Sequence, residues 1–78
     1  MPNVKLYSTS TCHYCAMAKE FLKKNNIQYE NLDVGMNREA GKEMVNKSGQ
    51  MGVPVLDIDG EIIVGFDKDA ISKALDLT

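Results

Sequence analysis

The chain has no tryptophan, one histidine, two prolines and only two cysteines among its 78 residues. Structural zinc takes four ligands, so two cysteines with a single histidine lodged between them do not make a zinc site within one chain. No apolar run approaches the roughly 20 residues of a membrane span, and the first residues lack the charged-then-apolar layout of a signal peptide. No membrane is therefore expected among the partners, and the chain should stay in the cytoplasm where it is made. Basic charge is not in excess either: 9 Lys and Arg stand against 11 Asp and Glu, for a net charge of −2. That balance leaves no electrostatic footprint for nucleic acid. Repeats, low-complexity tracts and linkers are missing as well.

The composition that remains, 44% hydrophobic and 26% charged, is ordinary for a globular protein and predicts one domain over residues 1–78. A chain this short hides only about 60–65% of the surface its unfolded form exposes, so its stability should be modest. A disulfide between the two cysteines would close a very short loop and constrain the unfolded chain weakly. The pair suits chemistry better than stapling.

That pair is Cys12-His13-Tyr14-Cys15, after a strand-like run from Val4 to Ser8 and before a helix-like run from Ala16 to Asn25. Two thiols three positions apart at a helix opening can close into a disulfide with little backbone movement. The helix N-terminus offers unpaired N–H groups and partial positive charge, which favour the thiolate form of a cysteine placed there. A cytosol kept reducing makes structural disulfides rare, so such a pair is more often catalytic or metal-binding. Cys12 is the expected nucleophile. It would attack a target disulfide, and Cys15, about one turn deeper, would resolve the mixed disulfide by attacking the Cys12 sulfur.

Elsewhere the periodicity alternates between helix and strand. Cys15, Ala18, Phe21 and Leu22 share one helical face, and Asn25-Asn26 ends that helix. Ile27 to Val34 predicts a second strand. Asn37 is a suitable N-cap for a second helix whose inner face holds Ala40, Met44 and Val45, with Gly49 just past its end. Pro54 to Ile58 and Glu61 to Val64 flank Asp59-Gly60, a hairpin signal. Asp67 caps a last helix facing inward through Ala70, Ile71, Ala74 and Leu75. The order β-α-β-α-β-β-α predicts a four-stranded mixed sheet with three helices, the first βαβ unit being parallel and right-handed. Met17, Met36, Met44 and Met51 read as core filling or loop contacts, because they lack a repeated spacing. Lys19, Lys23 and Lys24 read as the solvated face of the first helix.

Across essentially its whole length the chain resembles a glutaredoxin, the smallest version of the thioredoxin-like fold. The likeness rests on Cys12-x-x-Cys15 after the first strand, Val53-Pro54 opening the third, and Gly65-Phe66-Asp67 before the last helix. It implies a thiol–disulfide oxidoreductase that reduces protein or small-molecule disulfides through Cys12 and Cys15. Glutathione would act as co-substrate, with no bound cofactor and no metal. The resemblance further implies a cis peptide bond at Pro54, facing the cysteines. An extended substrate or glutathione would then pair with the N–H and C=O of Val53 as an added strand. Without the resemblance, Pro54 reads as a trans residue at a strand edge.

Gly65 suggests a backbone position that approaches a ligand or takes a positive φ. Asp67 has one role as N-cap and a second, implied one as partner of the α-amino group of a γ-glutamyl unit. Phe66 is either core or an exposed contact. His13 and Tyr14 complete the candidate binding residues. Tyr14 matches the Pro-Tyr that glutaredoxins commonly carry there, and His13 departs from it. A protonated imidazole at that point would stabilise a thiolate and make the protein more oxidising; the alternative is a solvent-facing side chain with little effect. Thr9 stands where many glutaredoxins have a ligand-pairing lysine, and Val64-Gly65 where they have two glycines. Recharging by glutathione and by a thioredoxin reductase are therefore both open. A monomer is expected. The other classes to weigh are an iron–sulfur cluster carrier and a binding module with inert cysteines.

Overall fold

The structure, a computed structural model, describes residues 3–77, so the domain bounds expected at 1 and 78 lie outside the described residues. β1 (Val4–Ser8) lies inside a four-stranded sheet of order β2-β1-β3-β4. Its parallel neighbour is β2 (Glu30–Asp33), and its antiparallel neighbour is β3 (Val55–Ile58), which pairs in turn with β4 (Glu61–Val64). Ser8 stands opposite Asp33, Tyr7 opposite Val55 and Val55 opposite Val64. The ends of β1, β2 and β4 and the start of β3 thus gather at one end of the sheet. This is the mixed sheet expected from the element order and the thioredoxin-like arrangement that the resemblance implies.

Alternation along β1 sends Val4 and Leu6 to one face and Tyr7 to the other. On the first face, α1 (His13–Lys24) and α3 (Lys68–Ala74) bury Ala18, Leu22 and Ile71 against Val4, Leu6, Leu56, Ile58 and Ile63. Phe21 and Phe66 meet edge-to-face at the margin of this core, their centroids 6.0 Å apart. On the second face, α2 (Arg38–Ser48) packs Ala40 and Met44 on Tyr7 and Val55.

Each helix starts where a short polar or sulfur-bearing side chain takes up an orphan N–H. Asn37 accepts from the Ala40 N–H at 3.2 Å and Asp67 from the Ala70 N–H at 3.1 Å, so both expected caps are in place. Gly49 ends α2 at φ +74°, as its position past the last inward residue predicts. Asp59 and Gly60 both have positive φ, the backbone that a two-residue hairpin turn needs.

The structure departs from the sequence expectation in three places. The second strand is shorter than Ile27–Val34, because the chain is still leaving α1: the Ile27 N–H donates to the Leu22 carbonyl at 2.9 Å. Asn26 just before it is left-handed, at φ +59°. Val45, expected inside, is exposed. The helix also opens earlier than Ala16, at His13, with Cys12 as its N-cap.

Tyr7, at the centre of the α2 face, is completely buried. Its hydroxyl donates to Glu43 and accepts from Lys47 Nζ at 3.0 Å; Lys47 also donates to Asp57 Oδ2 at 2.6 Å. Lys5 closes the group with an ion pair to Glu43 at 3.6 Å. These groups tie α2 to β1 and β3 beside the smaller apolar cluster of that face. Burial pushes the Tyr7 hydroxyl above its ordinary pKa, and its bond to Glu43 adds to the rise. Burial alone would raise the Asp57 carboxyl, but the Lys47 ammonium and the Gly60 N–H outweigh it and hold it below the usual range.

Candidate active site

The cysteine pair is placed by the tight exit from β1. After Ser8, the Cys12 N–H donates to the Thr9 carbonyl at 3.4 Å, and the Cys12 carbonyl accepts the Ala16 N–H at 3.2 Å. This turn sets Cys12 at the N-cap of α1 in an extended conformation, φ −86° and ψ 115°. Its sulfur then does what an Asn or Ser does at other helix starts: Sγ accepts the Cys15 N–H at 3.1 Å. One of the donors expected at a helix opening, the Cys15 N–H, therefore points at this sulfur.

Both thiols are free, but they sit in different surroundings. Cys12 is half-buried, whereas Cys15 is fully enclosed on the inner face of α1 with Ala18 and Leu22. Burial pushes the Cys15 thiol up to about 11, and its hydrogen bond with Cys12 adds to the rise. At neutral pH Cys15 is consequently protonated and inert towards outside partners. One sulfur is presented and the other is enclosed.

Val53 and Pro54 close the opposite wall. Their peptide bond is cis, as the resemblance implied, and the Cys12 thiol lies 3.8 Å from the Val53 carbonyl, near enough for a weak S–H···O contact. Pro54 is buried, and its carbonyl accepts the Gly65 N–H at 2.8 Å, joining this segment to the one before α3. Gly65 has φ +82° with nothing within 4 Å of where a Cβ would stand, so the positive φ, rather than crowding, explains the glycine. Phe66 is half-buried on the core margin and Asp67 serves as N-cap. His13 and Tyr14 are both exposed beside Cys12, their rings 6.0 Å apart in an edge-on contact. Cys12, Cys15, Val53, Pro54 and Gly65 are thus linked by direct contacts, and His13, Tyr14, Phe66 and Asp67 flank them.

The sequence reading missed Gln50. Its side chain forms a closed ring with Gly52, accepting that residue's N–H at 2.7 Å and donating to its carbonyl at 2.9 Å. Ser48 Oγ braces the same loop by accepting the Gln50 N–H at 3.4 Å while donating to the Met44 carbonyl of α2 at 2.7 Å. This hydrogen-bonded Gly49–Gly52 stretch leads to Val53 beside Cys12. The available signal was a serine and a glutamine around a glycine C-cap, all residues that bond their own backbone.

Among the described residues, no cluster of three or more His, Cys, Asp or Glu is placed to hold a metal ion, and no helix is long and apolar enough to cross a membrane.

The Glutaredoxin family model matches residues 4–63, from the first strand through most of the hairpin. This chain belongs to the glutaredoxin family. An uncharacterized glutaredoxin-like 8.6 kDa protein in a rubredoxin operon of Clostridium pasteurianum is 45% identical over 73 residues, covering 94% of this chain and 97% of the relative. Glutaredoxin 3 of Escherichia coli K12 is 36% identical over 67 residues, 86% of this chain and 81% of that one. A crystallised thioredoxin-like protein superimposes with a TM-score of 0.93 at 31% identity, covering all of both chains. Family and fold together support a thiol–disulfide oxidoreductase type of function, with glutathione serving the family as co-substrate rather than bound cofactor. Gly65, Phe66 and Asp67 lie just beyond the stretch that the family model matches.

Proposed function

We propose that this glutaredoxin reduces disulfides of proteins and small molecules by a dithiol mechanism run by Cys12 and Cys15. The observation that carries the reading is the division of labour between the sulfurs. Cys12 Sγ is presented at a helix N-terminus 3.8 Å from the Val53 carbonyl, while Cys15 is sealed beneath it. The Cys12 thiolate attacks one sulfur of the substrate, forming a mixed disulfide and expelling the other sulfur as a thiolate that takes up a proton. Cys15 then gives up its proton and attacks Cys12 Sγ, releasing the second substrate thiol and leaving a Cys12–Cys15 disulfide. Two electrons and two protons pass from the dithiol to the substrate.

Val53 is the pairing edge for the substrate backbone, and Pro54 and Gly65 hold that edge in place. Tyr14 and His13 form the exposed lip, while Phe66 and Asp67 border the far side. The recharging reductant is glutathione or a thioredoxin reductase. A single cytoplasmic domain working as a monomer fits this role.

The deciding experiment runs two NADPH-driven systems in parallel on the oxidised protein with a disulfide substrate. One contains glutathione and glutathione reductase, the other thioredoxin reductase alone. NADPH consumption in either supports the reading and names the electron source. Consumption in neither, with Cys12 left oxidised, overturns the reading of a general reductant.

A further inference from the structure

A groove of about 510 Å³ runs along the side of α2, lined among others by Val34, Arg38, Gly41, Lys42, Val45 and Met51. That volume lies within the range of ligand sites. Two of its lining residues, Val34 and Met51, belong to segments that lead towards Cys12. Met51 is two residues from Val53, a span of at most about 7 Å along the chain. Val34 donates its N–H at 2.9 Å to the carbonyl of Ser8, the residue just before Thr9, whose carbonyl accepts the Cys12 N–H.

Three features set the groove apart from ordinary surface. Met51 is 81% exposed beside the exposed Val45, so large apolar side chains face water at a small domain's rim. The charged residues lining it, Arg38 and Lys42, are both cations on a chain of net charge −2. Among the described residues neither has a carboxylate partner. Gly41 sits in the middle of α2, where a helix disfavours glycine relative to alanine, and its backbone needs no positive φ. A Cβ there would meet only Val34 atoms at 3.8 and 3.9 Å, ordinary contact. The effect of this glycine is to leave the groove open.

We propose that the groove extends the substrate site and receives the stretch of a disulfide-bearing protein beyond its reacting cysteine. An apolar side chain of that stretch seats against Val45 and Met51, with carboxylates facing Arg38 and Lys42. The inference rests on the disulfide-reductase reading above and adds the class of substrate: polypeptide with an apolar and acidic flank. Opposite charges across such a contact steer and orient the partner more than they tighten it.

The test uses the full chain and two synthetic peptides. Each carries a central cysteine held as a mixed disulfide with a small neutral thiol, flanked on both sides by Leu-Glu-Glu or by Leu-Lys-Lys. Second-order rate constants are measured for each peptide and for a small neutral disulfide. The wild-type protein should favour the acidic peptide on the order of tenfold, the scale of two exposed ion pairs. R38E/K42E should invert that ratio. G41L, which fills the groove while improving helix propensity, should slow both peptides severalfold relative to the small disulfide. Equal rates for the two peptides in the wild type, or an unchanged ratio in R38E/K42E, overturns the groove as a docking site while reduction of the small disulfide leaves the catalytic reading standing. No reduction of any disulfide by the wild type removes both.

Discussion

On one face of the sheet, α1 and α3 meet Val4, Leu6, Leu56 and Ile58 through side chains without a polar atom. On the other, α2 meets Tyr7 and Asp57 through Glu43 and Lys47, and only Ala40 and Met44 of the helix are buried. The first face is held by excluded water and close packing, which have no preferred direction. The second adds to its smaller apolar cluster a set of hydrogen bonds involving charged groups, which do. The candidate active site lies where the two meet. Cys12 rides on α1 and so inherits its position from the apolar face. Val53 follows α2 and inherits its position from the charged one. A helix located by directional bonds delivers the Val53 carbonyl to one place, and the contact with Cys12 needs that.

The largest effects should come at the seam itself. Cys12→Ser is expected to abolish disulfide reduction, since the nucleophile is gone and Cys15 is buried. Cys15→Ser should instead stop after one step and accumulate the mixed disulfide, visible by mass spectrometry. In the wild type the resolving step should accelerate about tenfold per pH unit between pH 6 and 8, because Cys15 lies well above neutrality and its deprotonated fraction grows in that proportion. A resolving rate independent of pH would mean that Cys15 is not held as a thiol by burial.

Next comes the apolar face. Leu22 is fully buried among Val4, Leu6 and Ile71, and Leu22→Ala should cost about 3 kcal/mol by urea unfolding. On the α2 face, Lys47→Met should cost less, about 1–2 kcal/mol, since the ammonium is partly exposed and water can replace it. The faces should also differ in their response to acid. Asp57 and Glu43 titrate below their ordinary values, Asp57 with burial opposing but the Lys47 ammonium prevailing, and Glu43 chiefly through the hydrogen bond from Tyr7. Groups with depressed folded-state pKa values contribute stability that is fully present above the unfolded value, near pH 4, and fades as pH falls through the folded one. Asp57→Asn should therefore flatten the loss of stability below pH 4, while Leu22→Ala should leave its slope unchanged. If both variants keep the wild-type slope, the charged face contributes no more than the apolar one to the acid limb. The smallest effect is expected at Asp67→Ala, about 1 kcal/mol for the lost cap. A rate loss in that variant with glutathione but not with a neutral disulfide would give Asp67 a ligand role beyond capping.

Most of the apolar face was legible in the sequence. Period-3.6 spacing in Cys15, Ala18 and Leu22 and alternation in Val4 and Leu6 carry it directly. The charged face was much harder to read. Asp57 inside Val-Leu-Asp-Ile and a Glu43–Lys47 pair at i and i+4 both look like solvated positions until a buried tyrosine is known to face them. The boundary of the second strand was misjudged because the turn out of α1 uses Ile27, whose side chain is apolar enough to mimic a strand residue. Val45 lies outside the buried stripe because helical spacing gives an inner face a width but not its centre. The Gln50–Gly52 ring left no periodic trace at all.

By itself, then, the sequence determined the element order, the caps at Asn37 and Asp67, the Asp59-Gly60 turn and the pair of cysteines at a helix opening. These depend on neighbours within a few residues, whose chemistry acts at short range. Only the tertiary structure decided that the Val53 carbonyl comes within 3.8 Å of Cys12 and that Arg38, Lys42 and Met51 share one groove. Cys12 and Val53 are 41 residues apart. Nothing local relates them; the register of four strands and the placement of α2 across them do.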